Sequence, residues 1–377
     1  MTVFACARCD AVLTASVAQV ALPVHAHQLY GHDMLPPLME QGTYAVDPEP
    51  SGWPVRPWSE IGEGEAQARG VFAPVLHGLS FGAAGAVVVA PGDTRGMALI
   101  PERCGGHCMG LDGRDGPNLA CAGCGQAVAT RVDDCSCWQA VWLAPDAVRR
   151  VPGDGDDPLP RTVDWEASAR EWQGTPPIES PGSWSPTFSA AVGMALAHLL
   201  AASGGGRVTV PGGLVRDTLG RPLDALLPPG TPGLPGSPVK RAALAGPGLP
   251  VPGPSSSAGP SPTSTPTPDI LLVPRDPRTG EVWRPSSGSA DLVPLAAEVW
   301  MHLAFDRERL PVPVTGGVGG MPDGVFRDYP LPAHPWGPFR PDSSVFLRTL
   351  ARLPAVRQPW LRAILDRVNE HPYARPF

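Results

Sequence analysis

The sequence predicts an α+β protein whose N-terminal part is mostly β-sheet. Two observations predict this class: all eight cysteines fall among short β-branched runs before residue 150, and stretches with helical apolar spacing follow later. The predicted layout is a β-rich domain at 1–150, a mixed α/β segment at 151–227, a disordered proline-rich linker at 228–268 and a mainly helical region at 269–377.

The strands predicted for the first domain are bounded by Gly, Pro and Asp, which favour turns. They are Val3–Cys6, Ala86–Ala90, Met97–Ile100, Val128–Val132 and Trp138–Leu143. The Gly/Asp/Pro-rich residues 151–158 then predict the first domain boundary.

Two helices and a strand are predicted in the middle segment. Asp164 can cap a short helix over Asp164–Trp172. Ser185 and Pro186 have the residue types of an N-cap and a first helical position, and glycines 204–206 stop the apolar run that follows. A short strand is predicted at Arg207–Val210.

Residues 228–268 contain 13 prolines and no acidic residue. Such a composition buries too little apolar surface to offset its ordering entropy, so a disordered, partly polyproline-like linker is predicted. Beyond it, helical apolar spacing predicts helices at Leu292–Phe305, Val345–Leu353 and Trp360–Val368.

The 377-residue chain carries a formal charge of −7. This acidic balance argues against nucleic acid or an anionic membrane as a partner. The N-terminus shows no secretory signal, and the longest apolar helix candidate, Phe188–Ala202, is expected to be too short for a bilayer. A cytoplasmic location is therefore predicted, where reduced thiols favour metal or redox chemistry over disulfides.

Two C-x2-C pairs are the strongest motif. They are Cys6-Ala-Arg-Cys9 and Cys121-Ala-Gly-Cys124. Each pair can present two thiolates from a tight turn, and four thiolates make the usual closed site for structural Zn²⁺. Domain 1–150 is therefore predicted to be stabilised by one zinc ion.

The other four cysteines leave two alternatives open. Cys104, Cys108, Cys135 and Cys137 could form a second zinc site, with His107 replacing one sulfur. Alternatively, Cys104 and Cys108 could join Cys121 and Cys124 in a compact local finger, which would leave Cys6 and Cys9 to pair with Cys135 and Cys137. Cys121 and Cys124 are ligands in both arrangements.

The two knuckles, FACARCDAVL and NLACAGCGQAV, flanked by strands and far apart in sequence, resemble the zinc-bearing β-tent architecture over residues 1–145. That group includes the Yippee-like and cereblon-type domains and the methionine sulfoxide reductase B family. The cereblon-type branch implies tryptophans lining a small-molecule pocket, and Trp138 and Trp142 follow the second knuckle here.

The reductase branch would imply a thiol-redox enzyme that uses Cys135 or Cys137. The family's Arg-Tyr-Cys-type signature is missing, and Asp133-Asp134 precede Cys135. Adjacent carboxylates are expected to raise the thiol pKa and to weaken its nucleophilic character. Inert or zinc-bound sulfur is therefore the favoured interpretation.

Four further patterns resemble functional motifs, but each lacks part of the context that its motif requires. Gly78-Leu79-Ser80-Phe81-Gly82 matches the G-x-S-x-G motif of hydrolases, but a strand rather than a helix is predicted after Ser80. His25, His27 and His32 could form a three-imidazole site, although nearby prolines favour a loop. The loop with Asp154, Asp156 and Asp157 lacks the bidentate Glu of a calcium site, and glycines 204–206 and 316–320 lack a Walker lysine.

The predicted function is that of a non-catalytic, zinc-stabilised binding or interaction protein whose ligand is an unidentified small molecule or protein. The first alternative is the thiol-redox enzyme using Cys135 and Cys137. The second is a serine hydrolase using Ser80.

Overall fold

The computed structural model describes residues 1–75, 78–108, 110–152, 162–172, 177–179, 182–227, 239–250, 267–306 and 335–370. The chain divides into two compact units. The first unit comprises Met1–Val163 and Pro277–Gly280, and the second comprises Asp164–Asp276 and Glu281–Phe377. The described residues form a mixed α/β protein with several sheets.

The first unit is built mainly from short strands. They are β1 (Thr2–Cys6), β2 (Ala18–Gln19), β3 (Thr43–Asp47), β4 (Val55–Arg56), β5 (Leu79–Ser80), β6 (Ala86–Val89), β7 (Met97–Leu99), β8 (Leu119–Cys121), β9 (Ala127–Val132), β10 (Ala140–Leu143) and β11 (Val148–Pro152), with one helix, α1 (Glu63–Ala68). Each of the five predicted strands has a counterpart here, because alternating β-branched residues suit a pleated, half-buried surface.

A seven-stranded sheet in the order β2-β3-β6-β10-β9-β8-β7 forms the centre of this unit. All its neighbouring strands pair antiparallel except β2 and β3, which are parallel. Strands β1 and β11 pair antiparallel in a separate ribbon, as do β4 and β5.

Apolar clusters cover both faces of the central sheet. Successive side chains of one strand contribute to different clusters, because they point to opposite faces. Val87 and Val89 belong to a core cluster that also contains Cys6 and Cys121. Val88 belongs to a second cluster, which includes Trp138 and apolar residues from 20–39. The cysteine knuckles therefore lie beside the first face and the histidine-bearing segment beside the second.

The second unit combines a parallel sheet with helices. Its strands are β12 (Ile178–Glu179), β13 (Ser183–Trp184), β14 (Val208–Thr209), β15 (Lys240–Leu244), β16 (Ile270–Arg275) and β17 (Asp291–Ala296). Its helices are α2 (Trp165–Glu171), α3 (Pro186–Ser203), α4 (Arg221–Leu226), α5 (Ala297–Phe305), α6 (Ser343–Arg352) and α7 (Pro359–Glu370), with a π-helical turn at Arg216–Gly220.

The parallel sheet has the order β14-β15-β16-β17. Strand β16 (Ile-Leu-Leu-Val-Pro-Arg) is buried along nearly its whole length, as expected for a parallel strand covered on both faces. Helix α3 packs against α6 and β17. It has 18 residues and is apolar enough to meet the length and composition criteria for a membrane span, but 78% of it is buried inside the protein.

The predicted ends of α2 and α3 are found in the structure, although the Ser185 side chain makes no capping hydrogen bond and pairs with the Thr187 hydroxyl instead. The Asp164 carboxylate accepts a hydrogen bond from the Ala167 N–H at 2.9 Å, at the start of α2. Pro186 is the first residue of α3, and Gly204 ends it with a left-handed φ of 64°. Helices α6 and α7 match the predictions at Val345–Leu353 and Trp360–Val368 to within two residues.

Two sequence expectations about this unit are contradicted by described strands. The predicted disordered linker 228–268 contains strand β15, which is held between β14 and β16 by backbone hydrogen bonding; residues 228–238 and 251–266 lie outside the described part. The predicted helix Leu292–Phe305 begins as strand β17, whose Val293 and Leu295 are buried, and becomes helical only at Ala297. The described residues 269–306 and 335–370 therefore combine strands with helices, and apart from Pro277–Gly280 they share the second unit with residues 164–227.

Candidate metal centre

The two C-x2-C pairs form turns with the same hydrogen-bond pattern. Cys6 ends β1 and Cys121 ends β8. The Asp10 N–H donates to the Cys6 carbonyl at 3.0 Å, and the Gly125 N–H donates to the Cys121 carbonyl at 2.8 Å. Asp10 and Gly125 both have left-handed backbones, with φ of 62° and 74°, conformations that Gly and Asp tolerate best. The short polar residue or glycine after each pair is thus explained by the turn.

The turns bring four sulfurs together. Cys6 Sγ lies 3.6 Å from Cys124 Sγ, and Cys9 Sγ lies 3.6 Å from Cys121 Sγ. All four sulfurs lie within 4.8 Å of one another, so they could hold a metal ion. Tetrahedral zinc–thiolate bonds of about 2.3 Å imply sulfur–sulfur separations of about 3.8 Å. The cluster already has the dimensions that such a site requires.

Burial differs between the four cysteines. Cys6 and Cys121 are 0% and 1% exposed and belong to the apolar core. Cys9 is exposed and Cys124 is half-buried. The cluster therefore connects the core of the first unit with its surface.

Crowding of the thiols separates their pKa values. Burial opposes ionisation of Cys6, but backbone N–H donors from Arg8 and Cys9 and the neighbouring thiols outweigh it and lower its pKa to about 7. At Cys9 the Ala11 backbone lowers the pKa, but the Cys124 and Cys121 sulfurs outweigh it and raise the pKa to about 12. Once one thiolate has formed, its neighbours resist losing their protons; a divalent cation would remove that resistance.

The structure divides the other four cysteines differently from the predicted second site. Cys108 and Cys135 lie together with His32, and their ligand atoms fall within 4.8 Å of one another. Cys104 and Cys137 are not part of this group; the Cys104 thiol donates to the Ile100 carbonyl at 3.1 Å. Since the first knuckle meets the second, the local finger that joins Cys104 and Cys108 to the second knuckle is not formed.

The histidines do not form the three-imidazole site considered above. His27 Nε2 lies 2.8 Å from Asp47 Oδ2. The His27 ring stacks on the Trp142 ring with 5.4 Å between the ring centroids. His25 lies against Trp138 with ring centroids 4.4 Å apart. His32 faces the two cysteines instead. Sequence reasoning missed this combination, because nothing in the spacing of residues 32, 108 and 135 connects them.

The residues of the redox alternative have weakened thiolate character. The neighbouring Cys108 thiol, burial and the Asp134 charge raise the pKa of Cys135 to about 11. Burial, then Asp134 and Asp112, raise the pKa of Cys137. Since the thiolate is the reactive form, these surroundings favour inert or metal-bound sulfur in either position.

Ser80 lies at the end of β5, and the next regular element is the strand β6 rather than a helix. Its hydroxyl donates to the Gly52 carbonyl at 2.6 Å and accepts from the Gly82 N–H at 3.1 Å. These contacts are those of a turn-stabilising serine and lack the strand–turn–helix context of a hydrolase nucleophile.

The remaining candidates contribute no ligand cluster among the described residues. The His107 side chain is 80% exposed, and its Nε2 lies 3.9 Å from Asp112. Glycines 204–206 follow the C-terminus of α3. Asp154, Asp156 and Asp157, like glycines 316–320, lie outside the described residues.

The interpretation of these sites rests on their own geometry, since none of the three comparisons with known proteins assigns the chain to a group. No protein-family model, curated protein or solved structure matches it.

Proposed function

We propose that the first unit is a non-catalytic binding module stabilised by one structural Zn²⁺ bound to Cys6, Cys9, Cys121 and Cys124. The observation that carries this proposal is the convergence of two matching turns, more than a hundred residues apart, into one four-sulfur cluster. Four protein ligands leave no coordination position for a substrate, which is typical of structural rather than catalytic zinc.

Two histidine–tryptophan pairs support a binding role. They lie on the face of the central sheet opposite the sulfur cluster: His25 against Trp138, and His27 against Trp142. The indole Nε1 of Trp138 is buried without a hydrogen-bond partner among the described residues. A buried donor without a partner is costly, so a side-chain rearrangement that let a ligand carbonyl reach it would be favoured. The β-tent resemblance implies a tryptophan-lined pocket, and we assign Trp138 and Trp142 to its lining.

The zinc content of the purified protein tests the first half of the proposal. We expect about one structural zinc per chain that resists mild chelators, because two of its ligands are buried. Thiol titration with and without strong chelation should expose the thiols of all four ligand cysteines only after zinc leaves. A zinc content near zero would overturn the structural role, and rapid reaction of Cys135 and Cys137 with zinc still bound would favour the redox enzyme instead.

The binding role is tested by screening carbonyl-bearing fragments with ligand-observed NMR. Fragments that bind the native protein should bind at least about tenfold more weakly to Trp138→Phe, because a lost hydrogen bond to a buried donor costs about 1.5 kcal/mol. Trp58→Phe is the control, since the Trp58 indole already donates to the Val75 carbonyl at 2.7 Å. Equal fragment affinities for the native protein and Trp138→Phe would contradict a ligand site at this face.

A further inference from the structure

The geometry points to a second metal site in the first unit, formed by His32, Cys108 and Cys135, that binds Zn²⁺ with three protein ligands and an open fourth position. One ring nitrogen of His32 and the two sulfurs lie within 4.8 Å of one another. Cys135 Sγ lies 3.4 Å from His32 Nδ1, and Cys108 Sγ lies 3.9 Å from the other ring nitrogen, Nε2. In tetrahedral zinc coordination a sulfur and a nitrogen ligand lie about 3.5 Å apart. Two thiolates and one imidazole are ligands that suit zinc.

The loops that carry these ligands are fixed independently of any ion. The buried Asp134 carboxylate, 2% exposed, accepts hydrogen bonds from three backbone N–H groups. The donors are His107 at 2.7 Å, Cys108 at 3.3 Å and Cys135 at 2.7 Å. One carboxylate therefore connects the backbones of both cysteines, as groups that hydrogen-bond around metal ligands do in metal sites.

The histidine loop is attached to the same place. The Ser136 N–H donates to the Asp33 carbonyl at 2.8 Å, and the Tyr30 N–H donates to the Ser136 carbonyl at 3.1 Å. The Ser136 hydroxyl also donates to the Gly31 carbonyl. These bonds bracket His32 on both sides and hold it beside Cys135. Ser136 has a left-handed φ of 67°, a strained conformation that the surrounding contacts must maintain.

The close approach of the cysteine loop depends on glycine. A Cβ at Gly106 would lie 1.2 Å from the Gly110 carbonyl oxygen and 2.7 Å from Asp134 Oδ2. A Cβ at Gly110 would lie 2.1 Å from the Asp133 carbonyl oxygen. No other residue type fits either position without moving the backbone, so the loop is built to lie tightly against Asp133 and Asp134.

Accessibility distinguishes this site from the four-cysteine site. His32 and Cys108 are exposed, whereas Cys135 is 9% exposed. Zinc with three protein ligands keeps a position for water or for another small ligand, as in catalytic zinc sites. The ion should therefore exchange faster than the ion between the knuckles and accept an exogenous ligand such as imidazole.

Metal content of full-length variants tests the assignment. The native protein, purified under reducing conditions and loaded with Zn²⁺, should hold about two ions per chain, and His32→Ala and Cys108→Ser should each hold about one. Cys104→Ser and Cys137→Ser are the matched controls, since both cysteines lie outside the cluster, and they should retain about two. If these two controls lose an ion and His32→Ala does not, the second ion is bound by Cys104, Cys108, Cys135 and Cys137. That result would overturn this assignment.

Release kinetics and Co²⁺ spectra give a readout that does not depend on stability. Zinc release to a colorimetric chelator should show a fast phase of about half the metal, which is missing in His32→Ala. Imidazole added to the Co²⁺-loaded protein should shift the visible bands in the native chain but not in His32→Ala; an unchanged native spectrum would overturn the open position.

The outcomes separate this inference from the proposed structural zinc. A native content of about one ion, unchanged in His32→Ala, would overturn the second site and leave the first intact. A Cys108–Cys135 disulfide that persists in the reduced preparation, detected by mass spectrometry, would also overturn it. Loss of metal in Cys121→Ser alone would concern only the four-cysteine site.

Discussion

The two sulfur clusters of the first unit are held in place in different ways. The four-cysteine cluster lies on paired turns at the ends of β1 and β8, and two of its ligands are part of the apolar core. The His32, Cys108 and Cys135 cluster lies on loops that are tied together by the Asp134 carboxylate and by Ser136. On the proposed zinc binding, the four-cysteine cluster supports the fold, whereas the fold supports the cluster of His32, Cys108 and Cys135.

The largest expected effect comes from breaking each cluster in turn. Structural zinc sites contribute on the order of 10 kcal/mol to folding. Cys121→Ser should therefore unfold strands β1 and β8 at 25 °C, seen as loss of hydrogen-exchange protection. Cys108→Ser should leave the protection of β1 and β8 intact, because its side chain is exposed and its loop is also held by the Asp134 carboxylate. Equal protection in the two variants would contradict the distinction.

A smaller effect is expected at Asp134. Asp134→Asn replaces a carboxylate that accepts three backbone N–H bonds with an amide that presents one oxygen and a clashing NH2 group. It should lower the free energy of unfolding by about 2–3 kcal/mol in chemical denaturation. Asp133→Asn is the control and should cost about 1 kcal/mol or less, since Asp133 makes a partly exposed ion pair with Arg131. If the two variants are equally stable, Asp134 does not organise the loops.

The pH dependence of stability sharpens the comparison on the opposite face of the sheet. Burial lowers the pKa of His25 from its usual 6.5 to about 4. The unfolded chain therefore binds more protons between these values, and stability that is complete above pH 6.5 is lost as the pH falls towards 4. His25→Gln should remove about 2–3 kcal/mol of this loss, measured by urea denaturation between pH 7 and 4.

His107→Gln is the matched control for this pH series, because the His107 side chain is 80% exposed. Both variants keep the four knuckle cysteines, so acid release of the proposed zinc would affect them alike. If the pH profile of His25→Gln overlays the native profile, burial of this imidazole does not contribute to the loss of stability in acid.

The smallest effect concerns the knuckle turns themselves. Gly125 has φ 74° and nothing within 4 Å of an added Cβ, so Gly125→Ala introduces backbone strain without a steric clash. It should cost about 1 kcal/mol in thermal or chemical denaturation. Gly123→Ala is the control, because its Cβ would make an ordinary contact of 3.5 Å with Cys9 Sγ and its φ is not left-handed. Equal stabilities would show that the turn tolerates the strain.

Local patterns predicted much of the secondary structure. The strands of the first unit and helices α2, α3, α6 and α7 follow from alternation, helical spacing and caps that depend on neighbouring residues. Strand β15 was missed because its stability comes from strands on both sides of it, which a proline-rich composition does not reveal. The strand β17 was predicted as part of a helix because Leu292–Phe305 is apolar apart from Glu298 and His302, so that periodicity alone does not separate the two structures.

By itself, the sequence determined that two C-x2-C turns exist and that each can present two thiolates, because a turn is set by residues a few positions apart. Only the tertiary structure decided which turns meet, that Cys6 and Cys9 face Cys121 and Cys124 and that His32 joins Cys108 and Cys135. The reason is physical: ligands separated by 76 to 118 residues are brought together by sheet pairing and by buried contacts such as those of Asp134, and neither leaves a trace in local spacing.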